Sequence, residues 1–131
     1  MWRISADTGG TFTDCYAITP GGEERRVKVL STGCMRSRVL ESRDAHTLII
    51  SDAWSMPTNF FAGFQLRLGE WSSVIASSLS ADNSALILQI SSALPVIMAG
   101  TAAELTTLEE APVLGARLLT GTPLGTQFPA L

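Results

Sequence analysis

The chain predicts an α+β fold that is mainly β: a three-stranded antiparallel sheet at the N-terminus, a small β barrel or sandwich inserted after it, and one helix near the C-terminus. Three observations carry this prediction. Alternating polar and apolar residues flank a glycine pair close to the N-terminus, short apolar runs separated by turn residues fill the middle, and a single segment near the end carries helix start and stop signals.

Trp2, Ile4 and Ala6 alternate with Arg3, Ser5 and Asp7, and Asp14, Tyr16 and Ile18 alternate with Cys15, Ala17 and Thr19. Two half-buried strands therefore form a hairpin whose tip lies within DTGGTFTD, Asp7 to Asp14. A turn at Pro20, Gly21 and Gly22 leads to a third strand that ends in KVLS, Lys28 to Ser31.

The middle segment reads as β. Thr47 to Ser51, Phe60 to Leu68, Ser72 to Leu79 and Ala85 to Ile90 are short apolar or alternating runs, separated by Met56 to Asn59, Gly69-Glu70 and Ala81 to Ser84. Meandering antiparallel strands at this spacing favour a small barrel or a sandwich. A helix over Ser84 to Ile97 is the competing reading, because apolar side chains occur nearly all round it; Ile87 and Ile90 favour strand. Trp54, Phe60, Phe61, Phe64 and Trp71 gather here, either as the core of this unit or as a patch that docks on other domains or on a second subunit, which leaves a homo-oligomer open.

The last element is a helix over about Leu108 to Thr120. Thr107 with Glu110 forms a capping box, Gly121 is a stop residue with Pro123 beyond, and Pro112, comfortable only in the first turn, leaves room for a start one or two residues later. Ala111, Leu114 and Leu118 form a stripe, with Leu119 beside it, that should pack on the first three strands.

Chemistry concentrates in the hairpin tip. Gly9 and Gly10 can take positive φ and offer backbone N–H groups, Thr8, Thr11 and Thr13 offer hydroxyls, and Asp7 and Asp14 offer carboxylates to a Mg²⁺ or its waters, which together suit a nucleotide phosphate. The plainer alternative is a tight turn between threonine-rich strands. A strand rather than a helix follows the glycines, so neither GxxxxGK[ST] nor GxGxxG is present in its helix-opening form.

The order strand, D-x-G-G-T-x-T-D, strand, Gly-rich turn and KVLS resembles the N-terminus of the hydantoinase/oxoprolinase family, ATP-dependent amidohydrolases that open hydantoins or 5-oxoproline on an actin-like ATPase (ribonuclease H-like) fold. The resemblance implies that Asp7 helps to position the metal and its water, that Gly9, Gly10 and Thr11 contact the β- and γ-phosphates, and that Thr13 and Asp14 complete the loop. It also implies ATP and Mg²⁺ as cofactors, a cyclic amide as substrate, and further domains of a longer enzyme as partners. Residues 1–32 match well, and Thr106 to Leu124 is similar to the helix that follows the third strand in a subset of these enzymes. The expected organisation is thus a partial ATPase lobe, 1–32 with 106–131, interrupted by an inserted β domain, 33–105. A sugar- or acyl-kinase-like enzyme on the same fold and a binding module centred on the insert are the rival readings.

Composition narrows the rest. The 131-residue chain has a net charge of −3 and a pI near 5.0, which gives no support to nucleic acid or an anionic membrane as partner. Arg25, Arg26, Lys28, Arg36, Arg38 and Arg43 interleave with Glu23, Glu24 and Glu41 and read as a solvated strand face, with no aromatic residues among them for base stacking. Ala85 to Ala99 is broken by Gln89, Ser91, Ser92 and Pro95, so it does not read as a membrane span. No secretory signal is visible, and cytoplasmic residence is the expectation. Cys15 and Cys34 read as free buried thiols, and His46 as a loop histidine.

Overall fold

The computed structural model describes all 131 residues. Strands β1 (Arg3–Thr8), β2 (Phe12–Ile18) and β3 (Glu24–Leu30) form an antiparallel sheet in the order β1-β2-β3. Strands β4 (Cys34–Asp44), β5 (Thr47–Ser51), β6 (Gln65–Leu68), β7 (Trp71–Ala81), β8 (Ala85–Ile90) and β9 (Ala102–Thr106) close into a barrel in the order β4-β5-β8-β7-β6-β9. Helix α1 (Ala111–Thr120) follows. The mainly-β class and the single helix agree with the sequence, and of barrel and sandwich the chain forms the barrel.

Alternation explains why the barrel closes around an apolar interior. Leu66 and Leu68 point in while Gln65 and Arg67 point out; Leu86, Leu88 and Ile90 point in; Ala103 and Leu105 do the same opposite Ala102 and Glu104. Closure leaves none of its strands with a free edge. Ser84 to Ile97 is not helical: β8 ends at Ile90, and Pro95 lies in the irregular segment beyond it.

Two sequence expectations need correcting. Phe60 to Leu68 is not one strand. Only Gln65–Leu68 pairs, while the chain before it turns, with Phe60 N–H donating to Pro57 O (3.0 Å) and Phe64 N–H to Phe61 O (3.0 Å). A strand would have sent alternate residues to opposite faces, yet Phe60, Phe61 and Phe64 are all fully buried, and turning is what lets all three fill the barrel together. The sequence reading also sets no bounds for β4 or β9, because Arg36, Arg38 and Arg43 of β4 read only as part of a solvated strand face and β9 is only five residues long.

The helix is shorter than expected. It starts at Ala111, with Glu110 as an N-cap that makes no side-chain capping bond. A helix from Leu108 would need a hydrogen bond from residue 112 back to Leu108, and Pro112 has no N–H to give. Leu108 instead sits at φ 66°, and the threonines cap the extended approach: Thr106 Oγ1 accepts from Leu108 N–H (3.0 Å) and Thr107 Oγ1 from Glu109 N–H (3.4 Å). The stop is as expected, with Gly121 in the left-handed region and its N–H returned to Arg117 O.

Helix α1 packs on β1, β2 and β3 through Ala111, Leu114 and Leu118. Gly115 allows this closeness: a Cβ there would fall 2.9 Å from the Cβ of Cys15 and against its sulfur. One apolar cluster runs from Cys15, Ala17 and Val29 on the sheet through Met35 and Val39 into the barrel, and on to Leu114 and Leu118 of the helix.

Arg117 pins the end of the chain to α1. It donates to Glu109 Oε1 (2.7 Å) and Oε2 (2.9 Å) and to Pro123 O (3.0 Å), and its guanidinium lies over the Phe128 ring at 4.8 Å. The Arg117 hydrogen bonds hold the Glu109 carboxyl below its usual range, against a smaller opposing effect of burial. A carboxyl depressed in the fold stabilises it above the pKa it has when unfolded, and that contribution fades as pH falls through the lower folded value. Glu109→Gln is therefore expected to weaken the protein at neutral pH and to flatten its stability between neutral and acid, as followed by urea unfolding across pH. Parallel profiles for the two proteins would refute the role given to this pair.

Candidate nucleotide-phosphate site

Strands β1 and β2 stay in register from Arg3↔Ile18 to Thr8↔Thr13, which leaves Gly9, Gly10 and Thr11 as the tip. Gly9 N–H donates to Phe12 O at 2.9 Å. Neither Gly9 nor Gly10 takes a positive φ, contrary to the sequence expectation. Glycine suits position 9 for closeness instead, since a Cβ would crowd Phe12 O at 3.0 Å, while one on Gly10 would meet nothing.

The turn is held from below by Ser31. Its N–H donates to Thr11 O (2.9 Å) and its hydroxyl to Gly9 O (2.8 Å). With that single hydroxyl proton committed, the 2.9 Å contact between Thr13 Oγ1 and Ser31 Oγ is a donation from Thr13. Thr13 is fully buried, so it braces the loop from inside. Thr8 and Thr11 are exposed at the tip, and the N–H groups of Gly10 and Thr11 have no acceptor within the chain. Gly9, whose N–H is already engaged, shapes the turn. Ser31→Ala is expected to cost about 1–3 kcal/mol, because it strands the buried Thr13 hydroxyl as well as freeing Gly9 O. It should also speed amide exchange at Gly9. Unchanged exchange there, by NMR, would show that Ser31 does not hold the turn.

Asp7, Asp14 and Lys28 form one row across the sheet, on the face away from α1. Like charges directly opposite one another repel. Lys28 answers Asp14, with Nζ 3.7 Å from Oδ1, and also lies over the Phe12 ring at 5.4 Å. Asp7 has no ion-pair partner in the chain. In the next row Arg26 covers the Tyr16 ring at 5.1 Å, and Tyr16 donates to Glu24 Oε1 at 2.7 Å, a bond that raises the phenol pKa. These rows line an open depression of about 790 Å³ that includes Ser5, Asp7, Asp14, Tyr16, Arg26 and Lys28. On the opposite face of the sheet, Thr8, Ser31 and Thr32 border the start of α1 across a space of about 500 Å³.

These residues fit a magnesium-bound phosphate chain better than a bare metal. No group of three or more His, Cys, Asp or Glu gathers anywhere in the chain, whereas Mg²⁺ commonly takes one or two carboxylates and completes its shell with phosphate oxygens and water. Asp7 and Asp14 can supply the carboxylates, and Gly10, Thr11 and Thr8 the donors.

Neighbouring groups of interest stand outside this chemistry. Cys15 lies just behind the loop but is buried under α1, and burial first, then Asp14, raises its thiol pKa, which keeps it an unreactive thiol. Cys34 is buried and free. His46 Nδ1 bonds with Ile90 O (2.9 Å) at the β4–β5 turn. The basic run is indeed a solvated surface, with Arg25 paired to Glu23, Arg36 to Glu104 and Arg43 to Glu41.

Sequence reasoning missed Ser31 as the brace and Lys28 as the partner of Asp14. The signal for the second was present, since extending the alternation of β2 into β3 through the Pro20–Gly22 turn sets Asp14 opposite Lys28. No family model, curated protein or solved structure matches the chain. No helix is long and apolar enough to cross a membrane.

Proposed function

We propose that the β1–β2 tip is the first phosphate loop of a Mg-ATP-dependent enzyme of the hydantoinase/oxoprolinase kind, which opens a cyclic amide. The observation that carries this reading is the pairing of two unspent backbone donors, Gly10 and Thr11 N–H, with a carboxylate, Asp7, that has no counter-ion in the chain. The N–H groups donate to phosphate oxygens, Thr8 and Thr11 add hydroxyls, and Asp7 with Asp14 holds the metal or its waters. The Ser31–Thr13 brace keeps the donors aimed before anything binds, so little reorganisation is needed. When bound, ATP would supply a phosphoryl group for the amide oxygen, which leaves the amide carbon open to attack by water.

In this reading the three strands and α1 belong to an actin-like lobe, residues 33–105 are an insertion, and further domains provide the adenine pocket and the substrate-side groups in a cytoplasmic enzyme. The chain by itself then binds nucleotide weakly, because a hairpin tip keeps phosphate in contact with water. A Kd in the millimolar range, about −4 kcal/mol, is expected for Mg-ATP, with amide shifts at Gly10 and Thr11 in an NMR titration. Mg-pyrophosphate should reproduce those shifts and adenosine should not. Shifts that avoid the tip would sink the phosphate-loop reading, and a micromolar Kd would sink the need for a second lobe.

A further inference from the structure

Asp7, Asp14 and Lys28 stand in register on β1, β2 and β3, so the one cation of the row lies beside the two carboxylates assigned to the metal. Its ammonium reaches across from β3 to β2, where it stands 3.7 Å from Asp14 Oδ1 and 5.4 Å from the ring centre of Phe12, the first residue after the tip. At 3.7 Å the pair is a contact of charges and not a hydrogen bond, so the ammonium protons remain uncommitted. The other cations of this face stand further from the tip: Arg26 one row back, over the Tyr16 ring, and Arg3 two rows back. Asp7, Asp14 and Lys28 all line the same depression of about 790 Å³.

Given the phosphate-loop reading, on which this rests, we infer that Lys28 is an exchangeable counter-ion: it holds Asp14 until a magnesium-bound phosphate chain docks, and then passes to a phosphate oxygen. Charge drives the exchange. At equal distance a divalent ion attracts a carboxylate about twice as strongly as an ammonium does, so Asp14 turns to the metal. Asp7 and Asp14 then balance the charge of the Mg²⁺, and the N–H groups of Gly10 and Thr11 offer the phosphates only partial charges. A full cation is still needed, and the released Lys28 is the nearest one. Lysine suits the task, since its ammonium is a compact charge on a flexible stem and turns from one oxygen to another with no fork geometry to rebuild. Before docking, the same residue offsets the repulsion that strand pairing imposes between Asp7 and Asp14.

Lys28→Met, which keeps a stem over Phe12 and removes the charge, tests this in two titrations of the full chain followed by amide shifts. Lys28 is exposed, so circular dichroism should match wild type. With Mg-pyrophosphate, read at Gly10 and Thr11, affinity should fall roughly tenfold, the loss of one charge-assisted hydrogen bond. Lys28→Arg should recover most of that loss. With Mg²⁺ alone, read at Asp7 and Asp14, Lys28→Met should instead bind roughly threefold more tightly, because no ammonium competes for Asp14. A lysine with a merely structural role does not give opposite signs. Equal Mg-pyrophosphate affinity in Lys28→Met and wild type overturns the exchange and leaves the phosphate loop standing, and so does weaker binding of Mg²⁺ alone. A wild type whose tip amides ignore Mg-pyrophosphate overturns the loop reading, and the exchange with it.

Discussion

Asp7→Ala is expected to reduce ATP-dependent turnover in the enzyme carrying this loop by on the order of 100-fold or more, the scale seen when one preorganised electrostatic contact to a reacting group is removed. The fold should not suffer. Asp7 is exposed, has no ion-pair partner and faces Asp14 across the strands, so its loss removes a repulsion. Unfolding free energy should stay within about 0.5 kcal/mol of wild type, as for surface positions without special contacts. Turnover and urea unfolding measured on the same preparation separate the two effects. Near-wild-type turnover in Asp7→Ala would remove the phosphate-loop assignment.

Phe61→Ala should produce the largest loss of stability. Phe61 is fully buried, with ring centroids of Phe60, Phe64 and Trp54 at 5.0, 5.2 and 5.8 Å, and its N–H donates to Ser78 Oγ. Truncation removes the transfer free energy of the ring and leaves a void that its rigid neighbours cannot fill, at a cost of about 3–5 kcal/mol. Against a total of roughly 5–15 kcal/mol for an ordinary domain, that is a large share. Urea unfolding gives the value, and a loss under about 1 kcal/mol would show that this aromatic cluster is not what fills the barrel.

Where the sequence was legible, turn residues at both ends of a short apolar run made it so. Thr47 to Ser51 and Ala85 to Ile90 are strands with the ends expected, because each apolar run is bounded by turn residues that forbid extension. The stretch Phe60 to Phe64 defeated the same reasoning. Consecutive aromatics look strand-like by propensity, but a turn buries all of them, and only the three-dimensional shape of the barrel end decides between the two. The capping box at Thr107 failed because Pro112 removed the backbone bond that would have made those residues helical. In the loop, the residue types were readable while their burial was not. Thr13 is buried while Thr8, opposite it on the same face, and Thr11 are exposed, since a hydroxyl's role depends on what covers it, here Ser31, eighteen residues away. Nothing local to DTGGTFTD names that partner.

Gly33 and Thr106 join at the neck of the barrel: Thr106 Oγ1 donates to Gly33 O at 2.7 Å, and Cys34 pairs with Thr106 in the first rung of β4 and β9. Gly33, at φ 84°, also touches Glu109 so closely that no Cβ fits between them. The consequence concerns the order of events as the chain emerges during synthesis. Strands β1 to β3 can meander at once through short turns, but Cys15, Ala17 and Val29 stay open to water until α1 arrives, and α1 comes after the whole barrel. Bringing those two ends together through an unstructured excursion carries a loop-closure entropy cost, whereas a closed barrel brings them side by side. A barrel that closes first would spare helix docking that cost, and until α1 docks the nascent sheet would present a sticky surface of the kind chaperones recognise.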